Sequence, residues 1–324
     1  TATGERTYSL PAGDYTYTIS CGGYKTVKGA FTVVDKALTI PATTLEVQTA
    51  WDGENYDPPA LLDGVYQIGT PNELMWFNKN ATMSDSAKLT NEICINEDVN
   101  AESPYEWKPI GTSSSKYTGT FDGGGHTISG IYINSTANYT GLFAYSSGEI
   151  KNLTLADSYI SSTGKYTGGI AGDSKNMENC HVTATVTVSG TSYVGGVTGY
   201  ADGTTIKCSN AATVIGSGNY VGGVAGCIQL NDSSAMSECF NIGNVTGASV
   251  VGGLTGNLYN GGTISNCYNT GTAKATTGVA GGLVGQLRSG AIKNTYQACT
   301  VDAPAKGSVA GNLDFERAQK TLDK

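Results

Sequence analysis

Apolar residues in the last two-thirds of this chain do not follow a helical stripe. They recur in short runs bounded by Gly, Asn and Ser, which is the pattern of strands and turns. The runs are Ile150-Lys-Asn-Leu153, Met177-Glu-Asn-Cys180, Ile206-Lys-Cys208, Met236-Ser-Glu-Cys239, Ile264-Ser-Asn-Cys267 and Ile292-Lys-Asn-Thr295. Between them a phrase returns: an aromatic or aliphatic residue, one residue, Gly-Gly, an aliphatic, one residue, Gly. It reads Tyr166-Thr-Gly-Gly-Ile-Ala-Gly172, Tyr193-Val-Gly-Gly-Val-Thr-Gly199, Tyr220-Val-Gly-Gly-Val-Ala-Gly226, Val250-Val-Gly-Gly-Leu-Thr-Gly256 and Val279-Ala-Gly-Gly-Leu-Val-Gly285. A degenerate copy starts at Tyr139 and a truncated one at Val309, and the copies lie 27 to 30 residues apart.

A period of that size means stacked units, each unable to bury its apolar face alone. With short strands, the unit is one turn of a parallel β-helix, and the fold class is an all-β solenoid. Equivalent residues then stand about 4.8 Å apart in ladders along the axis. Ile170, Val197, Val224, Leu254 and Leu283 form an aliphatic ladder, and Cys180, Cys208, Cys239 and Cys267 a thiol ladder between Leu153 and Thr295. Asn210, Asn241 and Asn269 are placed to stack amides at a turn. Tyr139, Tyr166, Tyr193 and Tyr220 form a fourth ladder. Its parity with the aliphatic position four residues on favours an inward, core orientation, unless Gly-Gly is a bend that cancels the parity. Gly-Gly suits a bend, or a place where neighbouring coils approach closely. The run Ile206-Lys-Cys208 is one residue short, so a bulge is expected there.

Upstream, Thr70-Pro-Asn-Glu-Leu-Met-Trp-Phe-Asn-Lys79 predicts a helix, with Thr70 and Glu73 as a capping box and Pro71 in the first turn. Leu74 and Phe77 share a face. A helix there caps the open end of the stack. Leu89, Ile93 and Ile95, then Ile128, Ile131 and Ile133, begin the first coils. Residues 1–46, with alternation at Tyr15, Tyr17 and Ile19 and at Phe31 and Val33, read as a small β-sandwich-like module. Residues 47–69 read as a linker, 70–315 as the solenoid and 316–324 as a polar tail.

Composition narrows the function classes. A net charge of −8 with Arg only at 6, 288 and 317 argues against nucleic acid and against an anionic membrane surface. No apolar run is long enough to span a bilayer. Of eight cysteines, four occupy one column and read as small buried hydrophobes, while Cys21, Cys94, Cys227 and Cys299 match no motif. The chain carries no Cys-x-x-Cys and no His-Glu-x-x-His, so neither metal nor cofactor is expected. His181 follows a ladder cysteine and should face outward. His126 offers a pairing with Asp122, although Asp122 bonding its own turn is the simpler expectation. The acidic run Glu92, Glu97, Asp98, Glu102 and Glu106 lacks calcium-loop spacing and reads as a solvated loop. The repeat acids, including Asp157, Asp173, Asp202 and Glu238, share no column, so no catalytic residue is assigned. The tyrosine ladder is the candidate binding surface, since outward rings can stack on sugars.

The Tyr/Val-x-Gly-Gly-Leu/Val-x-Gly phrase resembles the GLUG motif of bacterial surface proteins. Trp107-Lys-Pro-Ile-Gly111, Gly119-Thr-Phe-Asp-Gly-Gly-Gly-His-Thr-Ile-Ser-Gly130 and Thr140-Gly-Leu-Phe143 resemble the segment leading into such repeats. The resemblance covers roughly residues 70–313. It implies an extracellular structural or adhesive segment of a larger protein, as in adhesins and the non-catalytic part of immunoglobulin-A-cleaving metallopeptidases. It implies a monomeric stalk on the cell surface or secreted, with glycan or a host surface protein as partner. The first 46 residues look similar to sandwich modules of Gram-positive surface proteins. The alternative is a carbohydrate-active β-helical lyase or hydrolase, because many β-helices belong to those classes.

Overall fold

The computed structural model describes residues 9–19, 27–34, 49–229, 235–259 and 261–313. From residue 65 onward the chain winds into a parallel β-solenoid of about seven turns, with one helix among the described residues. Three sheets run along the axis. The first joins Lys165–Gly168, Ser192–Gly195, Val221–Gly222, Val250–Gly252, Val279–Gly281 and Ala305–Gly307. The second begins each coil at Phe143–Ala156, Ala171–Val182 and Thr198–Ile206, and later coils break it into shorter strands. The third runs from Tyr132–Ser135 to Val301–Asp302.

The ladders are backbone facts as well as sequence patterns. The amides of Ile170, Val197, Val224 and Leu254 donate to the carbonyls of Val197, Val224, Leu254 and Leu283 at 2.8–3.0 Å. All five side chains are buried. A second inward ladder, Thr140, Thr167, Val194, Val221, Val251 and Ala280, faces it from the first sheet. The four ladder cysteines are buried, and every described cysteine is free. The Cys208 and Cys239 amides point at the sulfur of the next coil, at 3.4 and 3.3 Å. Burial pushes the Cys180 and Cys239 thiols well above the ordinary range, so they remain neutral.

The interior is thin, and that explains Gly-Gly. None of these phrase glycines has a positive φ. A Cβ on Gly196 would lie 2.1 Å from Asn210 Oδ1, one on Gly223 2.3 Å from Asn241 Cγ, and one on Gly253 2.0 Å from Asn269 Nδ2. The second glycine is therefore where the asparagine ladder meets the opposite wall. The amides stack as expected: Asn210 Nδ2 donates to Asn241 Oδ1, and Asn241 Nδ2 to Asn269 Oδ1, each at 2.8 Å. Each amide also closes its own turn, as where Gly243 N donates to Asn241 Oδ1 and Asn241 Nδ2 to Gly243 O. The side-chain nitrogen and oxygen of each ladder amide are thus both satisfied within the column.

Left-handed backbone appears elsewhere. Asn152, Asn179, Lys207, Glu238, Asn266 and Asn294, each preceding a ladder position, have φ between 47 and 56°. Asparagine tolerates this region better than most residues, which accounts for four of the six. The tyrosines at 139, 166, 193 and 220 share it, at 59 to 65°.

Two expectations change. The bulge lies not at Ile206-Lys-Cys208 but upstream, where Ser174 pairs Ala201 while Asn176 pairs Thr204. One extra residue at Asp202-Gly203 absorbs the slip. Consequently Thr205, not Ile206, continues the column from Met177 to Met236, while Ile206 lies opposite Glu178 and Ser237. Thr205 is 2% exposed and its Oγ1 has no partner. Part of the expected linker is also built in. Ala60–Leu62 and Val65–Ile68 form a hairpin, and Val65–Ile68 pairs in parallel with Ser86–Leu89 as the first rung. Trp51 is buried, packed edge-on against Tyr105 at 4.2 Å. The helix Pro71–Asn80 has the full Thr70/Glu73 capping box and buries Leu74 and Phe77. Phe77 packs on Phe121, at the end of the core. Trp107 Nε1 donates to Leu142 O at 3.0 Å, tying the lead-in segment to the first full coil.

Of residues 1–46, the described part is one antiparallel pair, Gly13–Ile19 with Val27–Val33, in which the Tyr15 and Phe31 rings stack at 5.6 Å. The rest of the expected sandwich, Cys21 and the 316–324 tail lie outside the described residues.

Two stability measurements check this account. Thr205→Val should raise unfolding stability by about 1 kcal/mol, because it removes an unpartnered buried hydroxyl at nearly constant volume. Gly223→Ala should lower it by about 2–3 kcal/mol, because the new methyl collides with Asn241 and with Gly253 O. Urea denaturation of both variants reads the two signs.

Candidate binding face

The tyrosine ladder faces solvent at the start of each first-sheet strand. All four side chains are partly exposed, which overturns the parity expectation. The chain bends within Gly-Gly-aliphatic, so alternation restarts there. Thr167 and Val194, one residue after Tyr166 and Tyr193, take the inward place. The left-handed φ at each tyrosine marks the corner that begins the strand.

The rings stack on one another. Centroids lie 4.7 Å apart from Tyr139 to Tyr166 and from Tyr166 to Tyr193, with interplanar angles of 8° and 19°. Tyr193 to Tyr220 opens to 5.2 Å and 39°. Stacked faces are not free to hold sugars, so the ladder offers ring edges and hydroxyls instead. Arg288 Nη2 donates to the Tyr220 hydroxyl at 3.2 Å. Among the described residues, the hydroxyls of Tyr139, Tyr166 and Tyr193 bond to nothing. Burial raises the pKa of all three, which keeps them protonated donors at neutral pH.

Beside the ladder runs a second column on the next sheet, Tyr145, Asp173, Tyr200, Cys227, Asn257 and Gln286, in which Asp173, Cys227 and Asn257 are buried and the other three half-buried. Tyr200 stands edge-on to Tyr166 at 5.8 Å and 88°, and Tyr145 leans on Tyr139 at 5.5 Å. The Tyr200 hydroxyl donates to Gln229. Lys116 Nζ rests 4.2 Å over the Tyr145 ring. Asp173 lies between the two tyrosines, 5% exposed, and its Oδ1 has no hydrogen-bond partner. Burial, with Asp202 adding repulsion, lifts its carboxyl to about 7, against the opposing pull of Lys116 and a hydrogen bond with Tyr145. Burial also lifts the Cys227 thiol to about 12.

The other candidates do not converge. Asp122 Oδ1 accepts from Gly124 N and from Asn152 Nδ2, and His126 Nδ1 lies 3.5 Å from Glu92 instead. His181 faces outward, bonded through Nδ1 to Ser209 and through Nε2 to Asn179. Glu92, Glu97, Asp98, Glu102 and Glu106 are exposed. Among the described residues no three His, Cys, Asp or Glu are placed to hold a metal ion. No described helix is long and apolar enough to cross a membrane.

Sequence reading missed two things. The column through Asp173 is hidden in the sequence because Tyr, Asp, Tyr, Cys, Asn and Gln share no chemistry; counting seven residues on from Tyr166, Tyr193, Tyr220, Val250 and Val279 reaches Asp173, Tyr200, Cys227, Asn257 and Gln286. A second aromatic row, Phe240, Tyr268 and Tyr296, stacks at 4.9 and 5.4 Å on the residue after each ladder position.

The fold and this face define a parallel β-solenoid repeat protein with aromatic outer columns. Residues 247–274 match the family model of the GLUG motif, consistent with a GLUG-repeat protein. No curated protein matches the chain.

The pH dependence of stability tests the Asp173 environment. The folded carboxyl keeps a proton that the unfolded chain loses near pH 4, so stability should fall as pH rises from about 4 to about 7. The loss is on the order of a few kcal/mol. Asp173→Asn should be more stable than the parent at pH 8 and close to it at pH 4. Parallel denaturation profiles for the two proteins would contradict the assignment.

Proposed function

We propose that this chain is a rigid, non-catalytic segment of a larger extracellular bacterial surface protein, and that it adheres to glycan along the tyrosine face. The observation that carries the reading is the row of unpartnered hydroxyls on Tyr139, Tyr166 and Tyr193, held at one strand spacing by stacked rings. A polyhydroxyl ligand needs repeated donors and acceptors on a preorganised surface, because each flexible side chain it immobilises weakens binding. Stacking supplies that order in advance. The GLUG motif supports placement in a repeat-built surface protein, and the stacked coils suit projection away from an anchor.

One observation favours a second reading, that of a carbohydrate-active enzyme. Asp173, raised to about 7 beside Asp202, has the environment of a general acid.

A glycan array followed by a reducing-end assay separates them. The triple variant Tyr139→Phe, Tyr166→Phe and Tyr193→Phe keeps the stack and removes the hydroxyls. Adhesion predicts at least about tenfold weaker glycan binding with an unchanged melting temperature. Release of new reducing ends that stops in Asp173→Asn would replace adhesion with catalysis.

A further inference from the structure

The tyrosine face contains an acceptor that nothing in the fold uses. Asp173 is buried, yet its Oδ1 makes no hydrogen bond. Buried polar atoms left unpartnered are uncommon in native proteins and ask for an explanation. The neighbours of this one are specific. Tyr145 and Tyr200 flank it in its own column, and Tyr166 stands edge-on to Tyr200 in the same corner. Tyr139 and Cys227 also feel its charge, and so does Asp202, a second carboxylate that repels it. Aromatic rings around a carboxylate favour a cation, through the ring quadrupole and through a charge-assisted hydrogen bond.

A cation already touches the rim. Lys116 Nζ sits over Tyr145 without forming an ion pair to Asp173. Its side chain is exposed, so it can move aside. Tyr145 hydrogen-bonds the carboxyl, yet Oδ1 itself accepts from no donor.

We propose that Asp173, with Tyr145, Tyr166 and Tyr200, forms a subsite for a primary ammonium group, carried by an amino sugar within the glycan that lies along the hydroxyl row. The inference rests on the glycan reading above and names the sugar class that it selects. A free amine on the sugar donates to Oδ1 and meets the tyrosine rings; an N-acetyl group carries no charge to pair with the carboxylate. The protein's net charge of −8 also favours a cationic ligand. Binding the ammonium stabilises the carboxylate, so Asp173 gives up its proton when the ligand docks.

Titration calorimetry of the whole chain with glucosamine oligomers, N-acetylglucosamine oligomers of equal length and oligolysine tests this, at about pH 6, where Asp173 is still largely protonated. Repeating it in buffers of different ionisation enthalpy counts released protons. The expected result is glucosamine binding at least about tenfold tighter than the acetylated form, with net proton release. Asp173→Asn should abolish both the preference and the release, and Lys116→Ala should tighten binding by removing the competitor. Equal affinity for the two sugars overturns the subsite and leaves the glycan reading standing. Silence from both sugars overturns the two together. Oligolysine binding more tightly than glucosamine overturns the sugar assignment in favour of protein lysines.

Discussion

Everything in this solenoid depends on how closely its two inner walls approach. In three of the five phrases, at Gly196, Gly223 and Gly253, the second glycine lies against the amide of an asparagine across the interior, with no room for a methyl group between them. That contact sets the width of the coil, and the width decides which residues can fill it. One layer of Ile, Val, Leu, Met and Cys side chains suffices, and cysteine's small size suits a column whose sulfur also receives an amide from the neighbouring coil. The asparagine ladder then satisfies its own turns and bonds to itself, so polar groups at the core boundary cost little.

The same geometry produces the outer face. Since the chain must turn within Gly-Gly-aliphatic, the residue at the start of a first-sheet strand faces outward, and where it is a tyrosine it stands at a left-handed corner. Tyrosine occupies that corner in four coils and valine in the next two, and at Val250 and Val279 φ is no longer positive. A β-branched residue does not sit comfortably in that region. The aromatic row therefore ends where the backbone changes, and the two changes are one event. Asp173 and its tyrosine neighbours belong to the coils before that change.

Much of the fold is legible in the sequence because a repeat reports each position several times. The aliphatic, cysteine and asparagine columns follow from spacing alone, and the Thr70/Glu73 cap follows from four consecutive residues. Orientation was harder. An inward orientation for the tyrosines follows from two-residue alternation, but alternation does not survive the bend. The slip at Asp202-Gly203 hid Thr205, because a threonine in a column of Ile and Met does not look like a core residue. Asp173 was hardest, since its environment comes from three coils and from Lys116, far away along the chain. Sequence shows a column only when its members resemble one another, and a mixed column becomes visible only when the coils are stacked.

The direction of the inter-coil hydrogen bonds has a mechanical meaning. From Ile170 to Leu283 these bonds run along the long axis, linking each coil to its neighbour. A pull applied at the two ends loads every bond between adjacent coils at once, in parallel, instead of opening them one after another like a zipper. The interfaces themselves lie in series, so the whole rod is as strong as its poorest junction. Register slips interrupt the even ladder at two of these junctions, between Ser146 and Glu149 and beside Asp202-Gly203, and the two flank the coil carrying Asp173.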